Sequence, residues 1–315
     1  MAVYTHVSRE ELEDFLTRYD LPPLVAHHGI EAGVENSNYF LDTEDGRYVL
    51  TLFEKRVAEE DLPYFLGLTE HLRQKGMNVP APIHLKDGDM IGQLCGRPAA
   101  IVTFLQGVSE KSANLAQARA AGTLLAQFHL STDGFEPERA NDLGPADWAL
   151  MVKGLGDGLN KIELGLFGNL RAEAEHLMAS WPSQLPRGQI HADFFPDNVM
   201  FDGDSPAGVI DFYFACTDFF AYDLAIAMNA FTAEDAPSPD LGMALMQGYE
   251  TVRPLSREEK EALPLFWRGS ALRFALTRAH DFIHQVPGSL VQVKDPKPWL
   301  ALLGAHRQSP GFFSA

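Results

Sequence analysis

Apolar positions recur along this chain with two different periods, and the change between them divides it. Near the start, Leu12, Phe15, Leu16 and Tyr19 form a helical stripe behind Ser8 and Glu11, which make an S-x-x-E capping box. Pro22 and Pro23 end that helix. Short strand-like segments follow over 25–32, 36–42 and 47–53, the last two joined by a turn at Glu44-Asp45-Gly46. A helix is predicted over Glu59 to Lys75, closed by Gly76. Two more strands are predicted over 90–94 and 98–104, after a turn at Lys86-Asp87-Gly88-Asp89. From about Ser112 the helical period dominates, over 113–131, 147–163, 170–181, 219–231, 240–252 and 256–284. Only 187–212 breaks it, where short apolar pieces flank acidic loops. The expected fold class is α+β. A small antiparallel sheet lobe over 1–105 is joined near Gln106-Gly107 to a large helical lobe over 106–315, with a ligand site expected in the cleft.

Composition narrows the function classes. The 315 residues are long enough for two such units at about 150 residues each. Asp and Glu number 43 against 25 Lys and Arg, a net charge of −18, which argues against nucleic acid or an anionic membrane as partner. Cys95 and Cys216 form neither a disulfide framework nor a CxxC zinc site, so a reducing cytoplasm is expected. The first residues lack the basic and apolar regions of a signal peptide, and no apolar run reaches the length of a transmembrane helix.

The most informative stretch is His191-Ala192-Asp193-Phe194-Phe195-Pro196-Asp197-Asn198, an H-x-D-x4-N pattern, with Asp211 following thirteen residues after Asn198 at the end of an apolar strand. Phosphoryl transfer needs a carboxylate to accept the proton of the attacking hydroxyl, and oxygen ligands to hold Mg²⁺ against phosphates. Asp193 fits the base, Asn198 and Asp211 fit the metal, and His191 fits a residue that pins the loop. Each also has a plain structural use. Asp193 can cap a helix, Asn198 can serve a turn, and His191 with Asp193 can be the metal pair of a phosphoesterase. The joint spacing favours kinase chemistry.

These residues carry a resemblance to the aminoglycoside phosphotransferase/choline kinase-like superfamily, whose fold is protein-kinase-like. The match is densest over 191–223, HADFFPDNVMFDGDSPAGVIDFYFACTDFFAYD. Within it the chain most closely resembles the kinase-like homoserine kinases, through GVENSNYF at 33–40, YVLTLFE at 48–54, VPAP at 79–82, GRPAAIV at 96–102, FLQG at 104–107, RGSALRF at 268–274 and KDP at 294–296. The resemblance implies transfer of a phosphoryl group from ATP, with Mg²⁺, to the hydroxyl of homoserine in threonine biosynthesis. It implies Asp193 as base, Asn198 and Asp211 as metal ligands, and Thr103, Phe104 and Leu105 as the hinge that meets adenine. It further implies a turn from Gly29 to Asn38 over the phosphates, bringing in Gly33, Asn36, Ser37 and Asn38, and Asp223 as a brace for the catalytic loop.

One position departs from the wider superfamily. Thr51 stands where the third strand carries a phosphate-binding lysine, although threonine is usual in the homoserine kinase branch. Lys55 and Arg56 follow closely and are candidates to substitute, or else are solvated strand-end cations. Glu70 is the candidate helix glutamate, without an obvious ion-pair partner.

A small amino-acid substrate presents a carboxylate and an ammonium. Arg268, Arg273 and Arg278 are candidates for the carboxylate, and Tyr213, Asp218 and Asp281 for the ammonium or hydroxyl. Each serves equally as a helix-surface or interlobe ion pair. Kinases of choline, ethanolamine, methylthioribose, hydroxylysine or an aminoglycoside, and a nucleotide-binding scaffold without turnover, stay open as alternatives.

Overall fold

The computed structural model describes residues 4–30, 36–54, 57–233, 239–285 and 294–313. It falls into two compact units. The first takes in Met1–Gln106, Phe135–Pro137 and Gly208–Tyr213; the second takes in Gly107–Gly134, Glu138–Ala207 and Phe214–Ala315.

The first unit begins with α1 (Arg9–Leu16), and Ser8 and Glu11 close the capping box expected of them. Strands β1 (Leu24–Gly29), β2 (Ser37–Thr43) and β3 (Gly46–Leu52) precede α2 (Leu62–Gln74), which a single 3₁₀ turn introduces. Strands β4 (Gly92–Leu94) and β5 (Arg97–Thr103) complete a five-stranded antiparallel sheet in the order β1-β2-β3-β5-β4. Side chains alternate across a strand, so Tyr39 and Leu41 of β2 and Leu50 and Leu52 of β3 share one face. That face buries against Leu12 and Phe15 of α1. Asn38 and Thr51, which lie opposite each other in register, occupy the other face.

The second unit is mainly helical. It holds β6 (Val108–Ser109), α3 (Leu115–Ser131), α4 (Pro145–Leu155), α5 (Leu159–Ile162), α6 (Leu166–Ser180), β7 (Arg187–Ile190), β8 (Val199–Asp202), β9 (Ser205–Val209), β10 (Cys216–Phe219), α7 (Phe220–Thr232), α8 (Pro239–Glu250), α9 (Arg257–Ile283) and α10 (Lys297–Gln308). The last residues of β9 belong to the first unit. Helix α7 is buried on nearly all sides, as its almost unbroken apolar sequence requires. Helices α3 and α8 touch backbone to backbone. A Cβ on Gly122 would lie 1.9 Å from the Leu245 carbonyl oxygen, and one on Gly248 would lie 1.8 Å from that of Arg119.

Two expectations are corrected. The helix expected over 147–163 is broken, because Gly156 takes φ +49°, outside the helical range, and ends α4. Helix α10 was not expected at all, yet Trp299, Leu302, Leu303 and His306 give it a buried stripe. Among the described residues no helix is long and apolar enough to cross a membrane.

Candidate active site

The H-x-D-x4-N segment links β7 to β8. Strand β7 pairs with β10 and delivers the chain at buried Ile190, and Pro196 starts a 3₁₀ turn ending at Asn198. Apolar anchors alternate with the polar residues. Phe194 is fully buried with its ring edge-on to His191, and Phe195 packs on Phe274 and Trp299. The turn closes through Phe195 N–H to the Asp193 carbonyl (2.9 Å) and Asn198 N–H to the Phe195 carbonyl (3.0 Å). Asn198 Nδ2 donates to the Asp193 carbonyl (2.8 Å) and to Asp193 Oδ2 (3.1 Å). Asp193 N–H donates to His191 Nδ1 (3.3 Å), so that ring nitrogen is the unprotonated one. The structure thus gathers His191, Asp193 and Asn198 into one loop of the second unit.

Asp223 braces the loop from beneath. Its carboxylate accepts the N–H groups of His191 and Ala192, both at 2.8 Å, and lies 2.9 Å from His129 Nε2. Ala192 needs that support, because its φ of +60° is left-handed, a conformation that costs a non-glycine residue about 1 kcal/mol. Burial would raise the Asp223 carboxyl, but the bonds from His129 and the loop, and nearby His191, outweigh it and hold it below the usual carboxylate range. Burial pushes the His129 imidazole down, so the ring is neutral. Its other nitrogen meets the Tyr249 hydroxyl (2.7 Å), which accepts from Arg253 (3.2 Å), which in turn pairs with Glu259 (2.8 Å). His129, Tyr249, Arg253 and Glu259 escaped the sequence reading, although His129 follows a run of small and apolar residues from Ala118 to Phe128 on the buried side of its helix.

Asp211 lies in the first unit, exposed and left-handed at φ +66°. Nearby in sequence, Tyr213 packs edge-on against Phe53 and Phe65 of the same unit, and burial raises its phenol. The donor chemistry of the expected metal ligands suits Mg²⁺. Asn198 spends its amide nitrogen on Asp193, and among the described residues its amide oxygen accepts no hydrogen bond. A free amide oxygen and a carboxylate are the hard donors that this ion takes.

The residues expected around the nucleotide divide by face. Strand alternation turns Ser37 into the core, fully buried, where its hydroxyl accepts from Tyr4 and Thr5 N–H and donates to Glu54 Oε1 (2.8 Å). Asn36 is also buried and accepts from Glu54 N–H (3.3 Å). Only Asn38 reaches the opposite face, where Thr51 Oγ1 donates to its Oδ1 (2.8 Å). Strand β5 ends at Thr103, whose N–H bonds the Ala81 carbonyl, so the peptides of Phe104 and Leu105 lie outside the ladder. Phe104 stands edge-on to Phe40, and Leu105 is buried. Gly33, Lys55 and Arg56 lie outside the described residues. Among the described residues Glu70 meets no lysine or arginine but His84 at 2.6 Å, and the Gly88 carbonyl together with Glu70 raises that imidazole.

The substrate candidates are scattered. Asp218 accepts from Asn141 Nδ2 (2.8 Å) and Phe219 N–H (2.7 Å), and burial pushes its carboxyl up. Arg268 is not available as a clamp, because it grips Glu173 through both Nε and Nη2. Arg273 is 1% exposed, and its Nη1 donates to the Ala192 carbonyl. This overturns its expected contact with a substrate carboxylate, since a ligand cannot reach a guanidinium so enclosed. Arg278 is half-buried with its guanidinium over the Trp299 ring.

Known proteins agree with this architecture. A homoserine kinase from Agrobacterium fabrum is 47% identical over 309 residues, covering 98% of this chain and 96% of the relative. Among solved structures, amicoumacin kinase hAmiN in complex with AMP-PNP, Ca²⁺ and Ami superposes with a TM-score of 0.70 at 15% identity, covering 97% of this chain and 93% of that one. Choline kinase from Cryptosporidium parvum gives 0.69 at 13%, covering 96% and 95%. At such identity the two structures speak for the fold alone, and it is the protein-kinase-like fold expected. The family profile described as "Phosphotransferase enzyme family" matches residues 27–265. With that match and a homoserine kinase nearly half identical from end to end, the chain belongs to the phosphotransferase enzyme family, in its homoserine kinase branch.

Proposed function

We propose that the enzyme transfers the γ-phosphoryl group of ATP to the side-chain hydroxyl of L-homoserine, the step that commits this amino acid to threonine synthesis in the cytoplasm. The observation that carries the reading is the 47% identity with a homoserine kinase over 98% of the chain, in a chain whose His191–Asn198 loop keeps an intact carboxylate and amide pair. Asp193 accepts the hydroxyl proton. The hydrogen bond from Asn198 Nδ2 to its Oδ2 orients the carboxylate. Asn198 and Asp211 are the residues that would hold Mg²⁺, which when bound neutralises charge developing on the transferred phosphoryl. The peptides of Phe104 and Leu105 suit the adenine edge, and Asn38 suits the phosphate side. Arg278 is the arginine proposed for the substrate carboxylate, and Asp218 and Tyr213 are the groups proposed for its ammonium and hydroxyl. Most of the rate then comes from positioning and fixed charge.

Purified protein assayed with Mg-ATP against a panel of hydroxylated metabolites tests this. ADP release with homoserine is expected, with Asp193→Asn reducing kcat at least a hundredfold. Release with another alcohol but not with homoserine would sink the substrate assignment.

A further inference from the structure

Arg273 is the largest buried cation of the second unit, and nothing in the substrate reading uses it. Among the described residues it has no carboxylate within ion-pair distance. Its guanidinium lies 4.5 Å from the Phe274 ring centroid and 5.7 Å from that of Phe214, and its buried Nε has no partner. A buried guanidinium stays charged and is costly without compensation. The one strong bond it makes is to the carbonyl of Ala192, the left-handed residue directly before Asp193. On the other side of that peptide strip, the N–H groups of His191 and Ala192 both end on the buried carboxylate of Asp223. The strip therefore has its donors on an anion and its acceptor on a cation. The two opposite charges, each within 1% of complete burial, offset one another through the loop they hold.

We propose that Arg273 is a positioning residue for phosphoryl transfer, which clamps the Ala192 carbonyl against the pull of Asp223 and so sets the direction in which Asp193 presents its carboxylate. The assignment rests on Asp193 being the base. A loop peptide free to rotate about a left-handed alanine returns to the favoured β or α regions and carries the Asp193 side chain with it. Displacement of a catalytic group by about 1 Å costs on the order of a hundredfold in rate.

The test is a kinetic comparison of wild type, Arg273→Met, Arg273→Lys, Ala192→Gly and the Ala192→Gly/Arg273→Lys double variant, with Asp193→Asn as control. We expect Arg273→Met to lower kcat at least thirtyfold, with KM for ATP and homoserine within threefold of wild type. Arg273→Lys should recover part of that loss, because it keeps a donor for the carbonyl. Glycine is at ease in the left-handed region, so the loss caused by Arg273→Lys should shrink severalfold in the Ala192→Gly background. Where Arg273→Met fails to fold, the cycle between positions 192 and 273 decides by itself, since both of its variants are mild. Strictly additive losses overturn the proposal, as does an Arg273→Met enzyme with unchanged kcat and a raised KM for homoserine, the mark of a carboxylate clamp. A fully active Asp193→Asn enzyme, or wild type that releases no ADP with any alcohol, overturns the reading of the base and the Arg273 assignment with it. A dead Asp193→Asn enzyme beside a fully active Arg273→Met one overturns the Arg273 assignment alone.

Discussion

The His191–Asn198 loop of the second unit and the strand entry of the first are both rich in polar groups, but they are held differently. At the strand entry, Ser37, Thr5 and Arg97 converge on Glu54, whose partner Arg97 keeps 36% of its side chain exposed. Around the loop, the pair of Asp223 and His129 has no exposure at all, and Arg273 has 1%. Water can replace a lost partner at the first place and not at the second. The contrast sets a rigidly held loop in the second unit against a softer strand entry in the first, and it can be broken by cutting each network at its hub. Asp223→Ala strands two buried N–H groups and His129, and should cost about 3–5 kcal/mol. That corresponds to a melting temperature lower by roughly 10 °C, with activity lost. Glu54→Ala should cost only about 1–2 kcal/mol, because solvent reaches the cut. Thermal unfolding of both variants checks this, and equal losses would erase the distinction.

The second unit carries another buried polar group that sharpens the same point. His306 of α10 is 1% exposed, its Nε2 donating to Asn229 Oδ1 (2.8 Å) and its Nδ1 without a partner. Burial lowers its pKa to about 4 from an ordinary 6.5. The unfolded chain therefore binds a proton that the folded one refuses between these values. Stability from this group is fully present above pH 6.5 and is lost as the pH falls toward 4, by about 3 kcal/mol. His129, whose imidazole burial also lowers, works in the same sense. Melting temperature measured from pH 7.5 to 4 should fall steeply in wild type and less so in His306→Gln. Parallel curves would refute the assignment to His306.

Much of the candidate site was legible because it is local. His191, Asp193 and Asn198 lie within eight residues, so their spacing reads as one loop. The strands of the first unit were equally readable from alternation, and α1 from its capping box. What escaped depends on distance along the chain or on groups without sequence identity. His129 meets Asp223 and Tyr249 across 94 and 120 residues; the close approach of α3 and α8 at Gly122 and Gly248 accompanies its contact with Tyr249, and α7 supplies Asp223. Arg273 was read as a partner for a carboxylate because side chains are visible in a sequence; its partner is a backbone carbonyl, which every residue has. Helix α10 did leave a signal, in the spacing of Trp299, Leu302, Leu303 and His306.

The smallest expected effect separates two neighbours in the strand entry itself. The resemblance to known kinases places Ser37 and Asn38 together against phosphate, but consecutive residues of β2 face opposite ways. Ser37 is fully buried on the core face, tying Tyr4 and Thr5 to Glu54. Asn38 shares the other face with Thr51, the position at which the wider superfamily keeps its lysine. Ser37→Ala therefore removes a structural pin. It should cost about 1 kcal/mol, a drop of about 2–4 °C in melting temperature, and leave KM for ATP unchanged. Asn38→Ala should do the reverse, raising KM for ATP severalfold at nearly constant stability, because the buried Thr51 hydroxyl keeps a second neighbour in the Tyr213 phenol. If Ser37→Ala instead raised KM for ATP without loss of stability, the face assignment drawn from β2 alternation would be wrong. The nucleotide would then be met by the face that packs on α1, which the burial of Leu41, Leu50 and Leu52 leaves no room to do.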